Sequence, residues 1–152
     1  MPQVQPSTGL FVRGVAAADA PALFRLCHDL GYEPAKEGFH ERLHAITADP
    51  NHAVFVCVGG DDAVVGFVHV FGRQSVEVEP CAQIQALVVD AGGRRRGAGA
   101  LLTGAAEEWA KARGLTWLSL YCAEDRDAAH GFYQSAGFEL ATSASRFIKQ
   151  LD

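Results

Sequence analysis

Hydrophobic positions recur along this chain at two periods, and the switches between them mark out short strands and helices. Leu10 to Val15 reads as a first strand. Asp19 to Leu30 places Ala22, Leu23, Leu26, Cys27 and Leu30 at helical spacing, with Gly31 as a stop. Gly31-Tyr32-Glu33-Pro34 breaks the pattern, and Glu37 to Ala48 resumes it through Phe39, Leu43 and Ile46 until Asp49-Pro50-Asn51. Ala53–Val58 and Ala63–Phe71 flank Gly59-Gly60-Asp61-Asp62, a hairpin signal. Gly72 to Pro80 is polar and turn-rich, as expected of a flexible loop. Cys81 to Asp90 is a strand whose end, Leu87-Val88-Val89, is apolar without alternation, which suits a central strand covered on both faces. A helix from Gly97 to Arg113 stops at Gly114, a strand follows over Leu115–Tyr121, and a helix over Asp127–Ala136 ends at Gly137. Phe138–Leu140 and Ser145–Leu151 read as a closing strand pair, and Trp109 and Trp117 as core residues. No repeat, low-complexity tract or long linker divides the chain, so the expectation is a short frayed arm over residues 1–8 and a single α/β domain over 9–152.

The run Arg94-Arg95-Arg96-Gly97-Ala98-Gly99-Ala100 opens the longest helix. A helix N-terminus carries roughly half a positive charge and outward-pointing N–H groups, so a cation there is unfavourable by about 0.3–1 kcal/mol. Three arginines make sense at that end if an anion such as a pyrophosphate sits on the turn. Glycine costs about 1 kcal/mol against alanine inside a helix, and what Gly97 and Gly99 offer in return is close approach of a ligand to the backbone.

Composition narrows the partners. A chain of 152 residues, 49% hydrophobic and 20% charged, can bury a core without metal or disulfide support. A net charge of −5 argues against nucleic acid, since phosphate-tracking proteins are usually basic over a face. Cys27, Cys57, Cys81 and Cys122 form no Cys-x-x-Cys pair and no metal site is expected; free thiols in a reducing cytoplasm are the reading. No apolar run reaches the roughly 18 residues of a membrane span, and Met1 to Ser7 lacks the basic and apolar parts of a signal peptide. The arginine turn also lacks the Lys-Ser/Thr ending of a P-loop.

Two motifs together carry a resemblance. Arg94-Arg95-Arg96-Gly97-Ala98-Gly99 matches the Gln/Arg-x-x-Gly-x-Gly/Ala signature of the GCN5-related N-acetyltransferase (GNAT) superfamily. Ala129-His130-Gly131-Phe132-Tyr133 with Gly137-Phe138 matches its second signature, in the right order and with a strand between. Ile84 to Val89, Arg126 to His130 and Arg146 to Lys149 most resemble bacterial small-amine acetyltransferases of the aminoalkylphosphonate type. The resemblance implies the GNAT fold: a mixed central sheet of about six to seven strands, splayed at the acetyl-CoA site and flanked by about four helices.

The resemblance further implies acetyl transfer from acetyl-CoA to a primary amine by direct attack in a ternary complex. Pyrophosphate would lie over Arg94, Arg95, Arg96, Gly97, Ala98, Gly99 and Ala100, and the pantetheine arm along Leu87, Val88 and Val89 like an added strand. The N–H near Val88 would hold the thioester oxygen, and Tyr133 would be the general acid toward the CoA thiolate. Arg126 and Asp127 stand where the family often has an Asn cofactor contact; Arg126 is the candidate. Tyr32 and Phe39 would lie over the acceptor pocket, with His69, Gln83 and Gln85 as further substrate-side candidates. Acidic residues of the aminoalkylphosphonate-type pattern fall at the places of Gln83 and Ala86, leaving Glu79, His69 and His130 as titratable candidates for the general base, each with a structural role as its default. Partners are acetyl-CoA and a small amine, with a homodimer through the C-terminal strands as a common arrangement in similar proteins. The alternatives are a protein lysine or N-terminal acetyltransferase and a catalytically silent CoA-binding module.

Overall fold

The structure is a computed structural model that describes residues 9–29, 31–94, 96–122, 126–142 and 144–151. The expected arm over residues 1–8 lies outside them, as do Leu30 and Arg95. The chain forms two compact units, Met1–Leu120 and Tyr121–Asp152.

In the first unit the strands are β1 (Phe11–Gly14), β2 (His52–Val58), β3 (Val64–Arg73), β4 (Cys81–Val89) and β5 (Leu118–Leu120). The helices are α1 (Ala20–Asp29, entered through a 3-10 turn at Ala17–Asp19), α2 (Phe39–Ala48), α3 (Ala91–Arg94) and α4 (Ala98–Ala112). The strands lie side by side in chain order, antiparallel except for the parallel β4–β5 pair. The β2–β3 hairpin turns where the glycine and aspartate cluster predicts it, with Asp62 N–H on Gly59 O at 2.9 Å and Asp62 at φ 64.

Each face of the sheet has its own cover. Ala20, Leu23 and Leu26 of α1 and Leu43 of α2 pack on Val54, Val56, Val58, Phe67 and Val88. On the other face α4 buries Ala98, Leu102, Ala106 and Ala110. Gly66 lets α4 come close: a Cβ there would sit 2.8 Å from Val88 O and 3.2 Å from the Leu102 side chain. The apolar run Leu87–Val89 therefore marks a covered central strand, as its lack of alternation predicts.

The second unit holds α5 (Asp127–Ser135). The expected closing strands are not formed: among the described residues the sheet has five strands, not six or seven, and Phe138–Leu140 and Ser145–Leu151 carry no regular structure. Leu140, Phe147, Ile148 and Leu151 are exposed, and a strand pair that buries no face is marginal in water. Among the described residues the five helices exceed the expected number of about four by α3, a single turn that Ala-Gly-Gly does not announce. Trp117, read as core, is exposed, while Trp109 is half-buried under the Arg113 guanidinium, 4.7 Å from its ring centre. No helix among the described residues is long and apolar enough to cross a membrane.

The entry to α1 is fixed by a buried carboxylate. Asp19 accepts both terminal nitrogens of Arg13, at 2.8 and 3.0 Å, and the Ala16 N–H at 2.7 Å. These bonds, the Arg13 one first, hold its pKa below the usual carboxylate value against the opposing cost of burial. The sign follows from that lowering: the stabilisation is complete above the unfolded pKa of about 3.9 and is lost as pH falls through the folded value. Asp19→Asn is expected to cost about 1–3 kcal/mol in urea unfolding at pH 7, with a smaller difference from wild type below about pH 3.5.

Candidate active site

The site begins where β4 loses a neighbour. β5 pairs with β4 only at Ala82, Gln83 and Ile84, and its last partner pair is Ile84–Leu120. On the β3 side the register slips between His69 and Val70: His69 faces Ala86 and Val70 faces Ile84, so Gln85 is the extra residue of a bulge. Asp90 N–H bonds Val65 O at 2.8 Å, which sets the phase of the ladder. Alternation then turns the peptide groups of Asp90, Val88 and Ala86 toward β3 and those of Leu87 and Val89 toward the open edge. The Arg94 Nε bond to Val89 O, at 3.0 Å, agrees with this. The thioester donor expected at Val88 is therefore corrected: its N–H belongs to the β3 ladder opposite Phe67, and the edge offers Leu87 and Val89.

The open edge runs directly into the arginine turn. Asp90 caps α3, its Oδ1 accepting Gly93 N–H at 3.0 Å. Gly97 at φ 85 then starts α4 without any side-chain cap. The first bond of that helix is Leu101 N–H to Gly97 O, so the N–H groups of Ala98, Gly99 and Ala100 are its orphan donors. A fifteen-residue helix with a bare N-terminus is suited to an anion. Beside it, Leu26, Asp29, Val89, Ala91 and Arg94 line a cavity of about 180 Å³. That is small against the roughly 300–1,000 Å³ of typical ligand pockets, so a large ligand would lie mostly along the open surface. The arginines diverge. Arg94 turns back to Val89, whereas Arg96 Nη2 comes 3.9 and 4.0 Å from where Cβ atoms would stand on Gly9 and Gly59. The side chain of Arg95 lies outside the described residues.

The acceptor-side candidates divide. His69, opposite Val54 and Ala86, shares the face covered by α1 and α2, and Gln83 joins it opposite Phe71. Gln85 is exposed in the bulge. Phe39 is engaged in packing, edge-on to Phe24 at 5.4 Å and under Arg42, while Tyr32 is exposed. Sequence reasoning missed His52, whose Nδ1 lies 2.9 Å from His69 Nε2; only the β2–β3 register could have shown it. Glu79 is exposed in the loop after β3. In the second unit Arg126 is the exposed N-cap residue of α5, His130 is half-buried, and the Tyr133 ring meets Phe132 and Phe138 edge-on at 5.3 and 5.7 Å.

All four cysteines are free, and burial pushes the Cys27 and Cys57 thiols up, away from the thiolate. No group of three metal-ligating side chains occurs among the described residues.

A mixed sheet whose central strand β4 is left by β5 at Ile84 thus leads into an uncapped helix start. The acetyltransferase (GNAT) family model matches residues 20–138, and the chain belongs to that family. It is accordingly an N-acetyltransferase that uses acetyl-CoA. The fold is similar to aminoglycoside 6'-N-acetyltransferase AAC(6')-Ih from Acinetobacter baumannii: 17% identity, 95% of this chain and 100% of that one, TM-score 0.82. AAC(6')-Iy in complex with the bisubstrate analog CoA-S-monomethyl-acetylneamine has 17% identity over 93% of this chain and 99% of that one, TM-score 0.83. Glucosamine-6-phosphate N-acetyltransferase from Arabidopsis thaliana has 17% identity over 94% and 99%, TM-score 0.74. No protein with a curated description matches the sequence.

Ala100 is exposed at the third position of α4. A glutamate there favours a bare helix start by about 0.3–1 kcal/mol but repels a bound anion. Ala100→Glu is expected to keep or raise the melting temperature while weakening acetyl-CoA at least roughly 10-fold by calorimetry, an opposition of signs that simple misfolding does not produce.

Proposed function

We propose that this enzyme acetylates a primary amine of a small molecule, by direct attack of the amine on acetyl-CoA within a ternary complex. The observation that carries the reading is the continuity of the open Leu87–Val89 edge with the uncapped start of α4. The pantetheine arm adds to that edge as a strand would, and the pyrophosphate takes the N–H groups of Ala98 to Ala100 beside the arginine turn. The N–H of Leu87 or Val89 receives the thioester oxygen as it gains charge; removing such a donor typically costs about 2.7–4 kcal/mol of barrier. Arg126 contributes a further cofactor contact.

Tyr133 hydrogen-bonds the departing sulfur. With reference pKa values of about 10 for Tyr and 8.5 for a thiol, full transfer before cleavage is uphill by roughly 2 kcal/mol, so the bond strengthens as the sulfur gains charge. The names of the similar structures, aminoglycoside and glucosamine-6-phosphate acetyltransferases, support a small amine, and the motif details at Ile84–Val89 and Arg126–His130 lean toward the aminoalkylphosphonate type. A cytoplasmic homodimer fits this reading.

The test is release of CoA thiol from acetyl-CoA across a panel of aminoglycosides, amino sugars, polyamines and aminophosphonates, with the protein's four free cysteines blanked. Amine-dependent release that falls about 10²-fold in Tyr133→Phe supports the reading. Tight acetyl-CoA binding with no turnover on any amine contradicts it and directs attention to peptide acceptors.

A further inference from the structure

Acetyl transfer to an amine needs a proton acceptor, and β2 to β5 carry no Asp or Glu at all. The imidazoles on these strands are those of His52 and His69. These two are joined: His52 Nδ1 is 2.9 Å from His69 Nε2, and His52 stacks on Phe71 with ring centres 5.3 Å apart. His69 lies directly across from Ala86 and Phe71 directly across from Gln83, the two β4 positions where acidic residues are missing. We propose that His69, backed by His52 and Asp49, takes the proton from the acceptor amine, the base having moved from β4 to the facing position on β3. This rests on the small-amine reading given above.

The His52–His69 pair permits two proton arrangements, and the proposed step uses one of them: with His69 Nε2–H donating to His52 Nδ1, His69 Nδ1 holds a lone pair. Asp49 Oδ2, 3.9 Å from His52 Nε2, is beyond hydrogen-bond reach and acts through its charge alone, which favours a proton on that nitrogen. Burial first, and the neighbouring His52 second, push the His69 pKa down to about 4, so that lone pair is present throughout the neutral range. A base this weak cannot strip an ammonium; it acts after attack begins, once the forming N–C bond has made the nitrogen acidic. The atoms balance as follows: the N–C bond forms, the C–S bond breaks with its electron pair on sulfur, and the amine proton goes to His69 Nδ1. The Nε2 proton of His69 passes to His52 Nδ1, and the Nε2 proton of His52 leaves to solvent past Asp49. The charged or titratable groups on this path are Asp49 from the segment after α2, His52 from β2 and His69 from β3; β4 presents the neutral Gln83 and Ala86.

The test uses the full chain and the best amine of the panel, with acetyl-CoA binding measured alongside turnover. His69→Gln, which can hydrogen-bond but not take a proton, is expected to lose about 10²-fold in kcat while binding acetyl-CoA within about 3-fold of wild type. Added imidazole should restore part of the rate in His69→Ala. Should His69 variants not fold, His52→Gln carries the test with an expected loss of about 10-fold. Turnover in these variants within 3-fold of wild type, or a loss matched by the same loss of acetyl-CoA binding, overturns the inference and leaves the small-amine reading standing. Absence of turnover by the wild type on every amine overturns both.

Discussion

A strand in the middle of a sheet cannot leave its peptide groups without partners, because a buried donor or acceptor that forms no hydrogen bond costs about 1–3 kcal/mol. In this fold β4 meets that constraint fully on one side and only in part on the other. β3 accompanies it along its whole length, whereas β5 leaves it at Ile84. The proposed acyl site is the stretch beyond, where Leu87 and Val89 turn backbone groups away from β3 between two covered faces. One carbonyl, that of Val89, is taken by Arg94, so the turn that starts α4 is tied to the strand that precedes it. A ligand entering this gap finds donors already oriented, which is the electrostatic preorganisation that acyl transfer exploits.

The proposed anion and acyl sites are close in the chain. Only α3 and a short turn separate Val89 from the start of α4, and Asp90 holds that turn by capping Gly93. The helix is kept in place from below by Leu102 against Gly66 on β3. A side chain on Gly66 would therefore disturb both the strand ladder and the helix whose N-terminus is the proposed anion site. Packing on one face of the sheet thus sets the position of the uncapped N–H groups at the start of α4.

Much of this was legible in the sequence because it depends on local patterns. The apolar run Leu87-Val88-Val89, the Gly59–Asp62 hairpin and the long helix ended by Gly114 each have a short-range cause. The arginine turn was readable as the start of the long helix, because two glycines interrupt the chain just where that helix begins. What escaped depends on register. A bulge at Gln85 decides which peptides face the edge, and a one-residue change of phase moves the donor from Val88 to Leu87 or Val89. His52 and His69 are far apart in sequence and meet only through strand pairing. The apolar tail from Phe138 to Leu151 carried strand-like composition, but composition alone supplied neither a partner strand nor a buried face.

The account stands most directly on where acetyl-CoA contacts the backbone, and amide NMR of the labelled protein during titration with CoA reads this without reference to any acceptor. The largest shifts, with slowed hydrogen exchange, are predicted at Leu87, Val89, Ala98, Gly99 and Ala100, with little direct change at the β3-facing N–H of Val88. Saturable CoA binding that leaves the Leu87–Val89 edge and the start of α4 unperturbed would contradict it.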